Sequence, residues 1–346
     1  MLSRPISALL AGLLVACTTP APTRPLIGPR PQITSPADLC GDPSLGPGDF
    51  CMAVERMEAL LGRGDGEILY YEITESGTSR PSVLYLGYAQ PGGERIVIRA
   101  KWKIAPPGGT GFNNAPEREI AAYEAQKLFL DPADYVVPPI AGVCVPLELH
   151  TEALGPVDPT FPGTRCVFGV LAYWLENVHD DAARDLARVD RDPVYRDHLA
   201  RLNLFTYLID HRDPRDANFL IAKDPKRPRV FAIDNGLAFS GFQNPFVFYY
   251  GDWGDIRVPA LRRADVERLR TARRADFERL AVVAQYAIRD GMLMSVPPGP
   301  PLAEDRSVRV GDGVIQFGLT RAEIDAMESR VRTLLERVDA GEVDLY

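Results

Sequence analysis

The sequence predicts an α+β protein of two lobes, a β-rich N-terminal lobe over residues 38–170 and a mainly helical C-terminal lobe over 171–346. Three observations predict it. Between Ile68 and Lys103, three runs rich in β-branched and aromatic residues are separated by short turns containing Gly and Pro, the signature of an antiparallel meander. From Tyr195 onward, apolar residues recur at helical spacing. The chain has 346 residues, 46% hydrophobic and 25% charged, the balance of an ordinary globule long enough to bury a substantial core.

The first residues form a separate unit. Arg4 is the only charge before Cys17, and the apolar run from Ile6 ends in Leu14-Val15-Ala16-Cys17. A basic start, a short apolar core and small residues at the junction describe a secretory signal over 1–16, too short to act as a membrane-spanning helix. The junction resembles the bacterial lipobox, whose cysteine is acylated and becomes the new N-terminus. That resemblance implies a chain anchored through lipid on Cys17 to the bacterial cell envelope, facing the periplasm or the exterior. The competing reading is an ordinary signal peptide with a chance cysteine at the junction. Residues 17–37, rich in Pro and Thr, cannot bury enough apolar surface to fold and read as a tether.

Within the lobes, Cys51 to Leu61 has helical spacing. Ile68–Thr74, Val83–Tyr88 and Arg95–Lys103 read as three strands. Pro116 opens a helix expected over Glu117–Leu130, because proline suits the first helical turn. Val136–Val145 is apolar and broken by Pro, and Val167–Leu175 reads as a buried strand. Leu199, Leu202, Phe205, Leu208 and Ile209 form one face of a helix expected over Tyr195–Ile209. Phe219–Ile221 and Val230–Ile233 bracket a turn at Asp224-Pro225-Lys226, and the remainder is expected to be mainly helical, over Arg262–Arg289 and Arg321–Val338.

Net charge is −8, with no concentrated basic stripe, which argues against a nucleic-acid partner. Besides Cys17 the chain holds Cys40, Cys51, Cys144 and Cys166. An even number in an exported chain suggests two disulfides, and of the three pairings Cys40–Cys51 with Cys144–Cys166 closes only local loops. Metal-bound thiols are disfavoured, since no close Cys-x-x-Cys pair is present and the four histidines lie apart from the cysteines.

The chemistry concentrates in His211-Arg212-Asp213-Pro214-Arg215-Asp216-Ala217-Asn218, followed after a hairpin by Asp234-Asn235-Gly236. Phosphoryl transfer needs a carboxylate to orient or deprotonate the acceptor and hard oxygen ligands for a divalent cation. A His-Arg-Asp loop with Asn five residues beyond the Asp, then a strand ending in Asp-x-Gly, can supply them together. On that pattern Asp213 is the acceptor-side base, and Asn218 and Asp234 are metal ligands. The pattern also requires a lysine on a strand and a glutamate on a helix upstream. Lys101 and Lys103 share one face of the third strand, and Glu117, Glu119 and Glu124 lie on the next helix. The Ser76-Gly77-Thr78-Ser79 turn lies where a phosphate-covering loop would sit, making Gly77 and Ser79 candidates for nucleotide contact.

The run Pro116-Glu117-Arg118-Glu119-Ile120-Ala121-Ala122-Tyr123, continuing to Tyr135-Val136-Val137-Pro138-Pro139, resembles the secretory-pathway casein kinase family, atypical kinases of the Golgi and extracellular space. The Asp213…Asn218 and Asp234-Asn235-Gly236 elements are similar to that family, to phosphoinositide kinases and to HipA-type kinases. The resemblance spans roughly Ile68 to Phe239. It implies a two-lobed protein-kinase-like fold that uses ATP or another nucleotide with Mg or Mn. The acceptor would be a hydroxyl on a protein, sugar or lipid. It assigns Glu119 to pair with the nucleotide lysine, Asp213 to catalysis, and Asn218 and Asp234 to metal. Lys101 is the preferred lysine and Lys103 the alternative. The single-glycine turn and the Pro214-Arg215-Asp216 filling depart from the commoner patterns.

Plainer readings stand beside these. His211 could cap the preceding helix, Asp216 reads as a solvated loop carboxylate, and Lys103 and Glu117 read as surface charges. Asp234-Asn235-Gly236 alone could be a hairpin turn. What lifts the set is its order along the chain. Two other functions fit less of it. A kinase-like module that binds a nucleotide or ligand without turnover suits an exported compartment holding little ATP. A metal-dependent hydrolase built on His211, Asp213, Asp216 and Asp234 leaves Lys101 and Glu119 without a role.

Overall fold

The structure, a computed structural model, describes residues 52–74, 81–93, 95–112, 114–239 and 253–346. The expected signal, tether, lipidation site at Cys17 and Cys40–Cys51 disulfide, and the Gly77–Ser79 turn, lie outside the described residues.

Among the described residues the N-terminal lobe holds one five-stranded sheet and three α-helices. Its strands are β1 (Glu67–Ile73), β2 (Ser82–Ala89), β3 (Arg95–Ile104), β4 (Ile140–Pro146) and β5 (Cys166–Tyr173). They lie in the order β1-β2-β3-β5-β4, every neighbouring pair antiparallel. Period-two alternation sorts β3 into two faces. Ile96, Ile98, Ala100 and Trp102 enter an apolar core with Leu84, Leu86 and Leu171, leaving Arg99, Lys101 and Lys103 on the opposite face. Gly169 of β5 is required here, since a Cβ at that position would collide with the Lys103 carbonyl and the Trp102 ring.

Helix α1 (Val54–Arg63) buries Val54, Met57, Leu60 and Leu61 and ends at Gly64, which takes the left-handed conformation at φ 68°, the usual helix stop. Helix α2 (Pro116–Gln126) begins with the expected proline, and its alanines let it sit almost wholly inside the protein. Helix α3 (Leu147–Leu154) follows β4 directly. The Cys144–Cys166 disulfide is formed, with 5.5 Å between Cα atoms, and staples β4 to β5.

In the second lobe α4 (Pro193–Leu208) runs through the largest apolar cluster, its first turn capped by the Asp192 side chain accepting from the Tyr195 N–H. Strands β6 (Val178–His179), β7 (Phe219–Ala222) and β8 (Val230–Ala232) form a small antiparallel sheet. Strand β9 (Ala260–Leu261) leads into α5 (Arg263–Thr271) and α6 (Arg274–Glu278). The last helix, α7 (Arg321–Asp339), opens with a reciprocal cap between Thr320 and Glu323. The short β14 (Asp344–Leu345) returns to pair with β9.

The helix expected over Arg262–Arg289 does not continue past Glu278. Residues 284–317 instead form a further antiparallel sheet of β10 (Ala284–Arg289), β11 (Met292–Val296), β12 (Val308–Gly311) and β13 (Val314–Phe317), in the order β11-β10-β13-β12. Two Asp-Gly turns account for it. Asp290 and Gly291 have φ of 50° and 76°, and Asp312 and Gly313 have φ of 51° and 73°. Two consecutive positive φ values define the tight hairpin turn that Asp-Gly favours.

This sheet packs on β4 and β5 of the first lobe. Phe317 stacks on Phe168 at 4.5 Å between centroids, the Tyr286 hydroxyl donates to the Gly142 carbonyl at 2.8 Å, and Cys144 and Cys166 belong to the same cluster. No helix among the described residues is long and apolar enough to cross a membrane.

Candidate active site

The loop after α4 and the strand ends below β3 bring the chemistry-bearing residues together. Lys103 is buried, and its Nζ lies 2.9 Å from Glu119 Oε1 and 3.1 Å from Asp234 Oδ1. Burying an ammonium costs several kcal/mol unless it is well paired. Here burial alone would lower the lysine pKa, but Glu119 and Asp234 outweigh it and hold the group above its ordinary value. Burial alone would likewise raise the Asp234 pKa. Lys103 and Lys101 outweigh it, and the carboxylate is held below the usual range. The other Glu119 oxygen, Oε2, accepts the Asn235 backbone N–H at 3.0 Å. Glu119 therefore fixes both the lysine and the turn that follows Asp234.

The geometry corrects the preference between the two lysines. Lys103, not Lys101, reaches Glu119, while Lys101 Nζ stands 3.7 Å from Asp234 Oδ2. Both lysines lie on one face by period two, and only the position of α2, nearer the end of β3, separates them. Lys103 and Glu117 also depart from the surface-charge reading, since both are buried. Glu117 points away from Glu119, accepts the Thr110 hydroxyl through Oε1 at 2.6 Å, and leaves Oε2 without a partner. Burial raises its pKa. Glu124 pairs with Lys127 at 2.8 Å.

The loop below is tied to the same point. Asp210 turns the chain out of α4 in the left-handed region, at φ 48°. His211 is buried, and its Nε2 lies 3.2 Å from the Asp234 carbonyl. Because a carbonyl only accepts, Nε2 carries the proton. Burial pushes this histidine down to about 4, so it is a neutral prop for the Asp234 backbone rather than a helix cap. Asn218 Nδ2 donates to the Asp213 carbonyl at 2.8 Å, and the Ile233 N–H donates to the Asn218 carbonyl at 3.0 Å. These hydrogen bonds and ion pairs, continued through the Ile233–Asp234 peptide, join Lys103, Glu119, Asp234, His211, Asn218 and the Asp213 backbone.

The Asp213 carboxylate is engaged by a neighbour. Arg215 Nε and Nη2 each lie 2.7 Å from one of its oxygens, a bidentate pair. Asp216 is exposed and turned to Arg184, whose guanidinium lies over the Phe219 ring at 4.3 Å. Two of the four groups of the hydrolase reading, Asp213 and Asp216, are thus held by arginines. Among the described residues no group of three His, Cys, Asp or Glu side chains is placed to hold a metal. Asp234 and Asn218 offer one carboxylate and one amide oxygen, since Asn218 Nδ2 is already committed. That hard-oxygen pair fits Mg or Mn, which keep much of their shell as water and phosphate.

Sequence reasoning did not single out Arg215, nor the ion pair of Arg99 on β3 with Glu176, in which Arg99 Nε donates to Glu176 Oε1 at 2.9 Å. Arg99 shares the face of Lys101 and Lys103, so the β3 alternation carried a signal for it. Nothing in the sequence marked Glu176.

The fold is α+β and two-lobed, kinase-like in placing a strand lysine against a helix glutamate above an Asp…Asn loop and an Asp-x-Gly turn. No family model matches the chain, and no curated protein does. Among solved structures, that of hydra Fam20 with sugar is similar, at 16% identity, covering 84% of this chain and 89% of that one with a TM-score of 0.49.

Proposed function

We propose that the chain is a kinase-like phosphotransferase that moves a phosphoryl group from ATP, or another nucleotide, to a hydroxyl of a protein, sugar or lipid with the help of Mg or Mn. The observation that carries this reading is Lys103 held between Glu119 and Asp234. Lys103 neutralises donor phosphates, and Glu119 holds it at the required place. Asn218 and Asp234 hold the cation, which when bound spreads the charge of the phosphates. Asp213 orients the acceptor hydroxyl and takes its proton. Rate enhancement comes from positioning and charge neutralisation.

The test is incubation of the protein with labelled nucleotide, membrane extract and itself, beside two variants. Asp234→Ala should abolish metal-dependent nucleotide binding. Asp213→Ala should spare binding and cut turnover roughly a hundredfold or more, the scale of general-base loss. Absence of both nucleotide and metal binding in the wild-type protein would end the reading.

The bidentate Arg215–Asp213 pair favours a second reading, a module that binds nucleotide without transfer, because both oxygens of the expected base are occupied. Tight nucleotide binding with no transfer to any acceptor, unchanged in Asp213→Ala, would select it.

The same proposal places the domain outside the cytoplasm, on a lipid anchor at Cys17. Cys17→Ser should release the chain from membranes or leave it unprocessed. A mutant that still fractionates as a mature lipidated form would refute the anchor.

A further inference from the structure

Asp234 is addressed by two lysines that are not held alike. Lys103 meets Oδ1 at 3.1 Å and is gripped from its other side by Glu119, with a side chain only 6% exposed. Lys101 meets Oδ2 at 3.7 Å, too far for a hydrogen bond, and its side chain is 19% exposed. Asp234 is its one ion-pair partner among the described residues. Its cross-strand neighbours on that face are Val83 and Ala172, which offer no replacement anion. The next cation along the face, Arg99, is committed to Glu176.

We propose that Lys101 is the cation a divalent metal displaces from Asp234, and that the displaced ammonium then pairs with a phosphate of the metal-bound nucleotide. The inference rests on the kinase-like reading of the site. A metal on Asp234 removes the charge that holds Lys101 and sets a dication beside it. Lys103 stays, because Glu119 still balances it. Lys101 has no second ionic anchor among the described residues, and the anion that can satisfy it arrives with the donor. Its effect therefore changes sign. Without nucleotide it competes with the metal, and with nucleotide present it cooperates.

The test uses the full chain and two binding measurements, neither of which needs turnover. Mn²⁺ is titrated alone and followed through the spin-resonance signal of the free ion. A non-hydrolysable ATP analogue is then titrated at saturating Mn²⁺ by calorimetry. Lys101→Met should bind Mn²⁺ alone more tightly, by about threefold, the scale of a partly exposed ion pair. It should bind the analogue more weakly, by roughly tenfold, for a lost charge-assisted contact. Lys101→Arg, which keeps the charge, should lie near wild type in both. Shifts in the same direction, or no shift in either, would overturn the proposal. If wild-type protein binds neither Mn²⁺ nor the analogue, the kinase-like reading itself falls, and this role of Lys101 with it, before any variant is compared.

Discussion

Arg118 of α2 donates to Glu323 of α7 across 205 positions of sequence, Nη2 to Oε1 at 3.2 Å. It joins the helix that carries Glu119 to the capped first turn of the last helix. Arg118→Met should therefore disturb the placement of Glu119 as well as stability. The expected outcome is a loss of about 1.5 kcal/mol in denaturant unfolding, the low end of the range for hydrogen bonds to charged groups. Nucleotide affinity should weaken several-fold in parallel.

Removing Lys103 leaves two carboxylates facing each other with little compensation. Lys103→Met should cost about 3–5 kcal/mol, the scale for breaking a buried pair by deleting one partner. Adding Glu119→Gln should recover part of that loss, because the stranded charge goes with it. A double-mutant cycle by urea unfolding measures the coupling, and strict additivity would contradict it.

Glu117 is a buried carboxylate whose pKa is raised, chiefly by burial. A carboxylate raised on folding destabilises the fold once pH exceeds its unfolded value, because the charged form is the one the interior disfavours. Glu117→Gln should thus raise stability at neutral pH by about 1 kcal/mol and have little effect near pH 4. Its carbonyl can still accept the Thr110 hydroxyl. Thermal unfolding at the two pH values tests this.

Two histidines set an acid-side slope. Burial pushes His211 and His198 each down to about 4. In the unfolded chain they take up protons near pH 6.5, while the folded protein resists until about 4. Stability should therefore fall, by on the order of a few kcal/mol, as pH drops from about 6.5 to 4. Asp234, held low by its lysines, keeps its contribution over that window and loses it only in stronger acid. His211→Gln, which can still donate to the Asp234 carbonyl, should flatten part of the slope.

The Arg215–Asp213 pair makes one kinetic expectation. Arg215 is half-exposed at the side chain, so the pair should open at small cost. Arg215→Ala should leave transfer equal to wild type or faster. A loss like that of Asp213→Ala would instead give Arg215 a part in the reaction.

Much of this arrangement was legible in the sequence, and the failures have specific causes. The three strands of the meander and the proline that opens α2 follow from local pattern, and they lie where that pattern puts them. The choice between Lys101 and Lys103 does not follow, because period two gives both the same face. Only the packing of the alanine-rich α2 on β4 and β5, which sets Glu119 beside the end of β3, decides which one it meets. The C-terminal sheet was a missed local signal. Asp290-Gly291 and Asp312-Gly313 are both strong hairpin dipeptides, but the charged and apolar residues around Arg289 also satisfy helical spacing. Burial of Glu117 had no sequence signal, since its cover comes from Thr110 and from elements distant along the chain.

The sheet formed by residues 284–317 carries a consequence for the order of assembly. Phe168, Cys144 and Cys166 of the small lobe find their cover in Tyr286, Leu293 and Phe317. As the chain emerges from its N-terminus, the small lobe must wait for more than a hundred further residues before its outer aromatic face is closed. Contacts so distant in sequence delay folding and leave an adhesive surface open in the meantime. Cut away from its C-terminal third, the small lobe would be a fragment with an unfinished wall, not a module that could be exchanged or inherited alone.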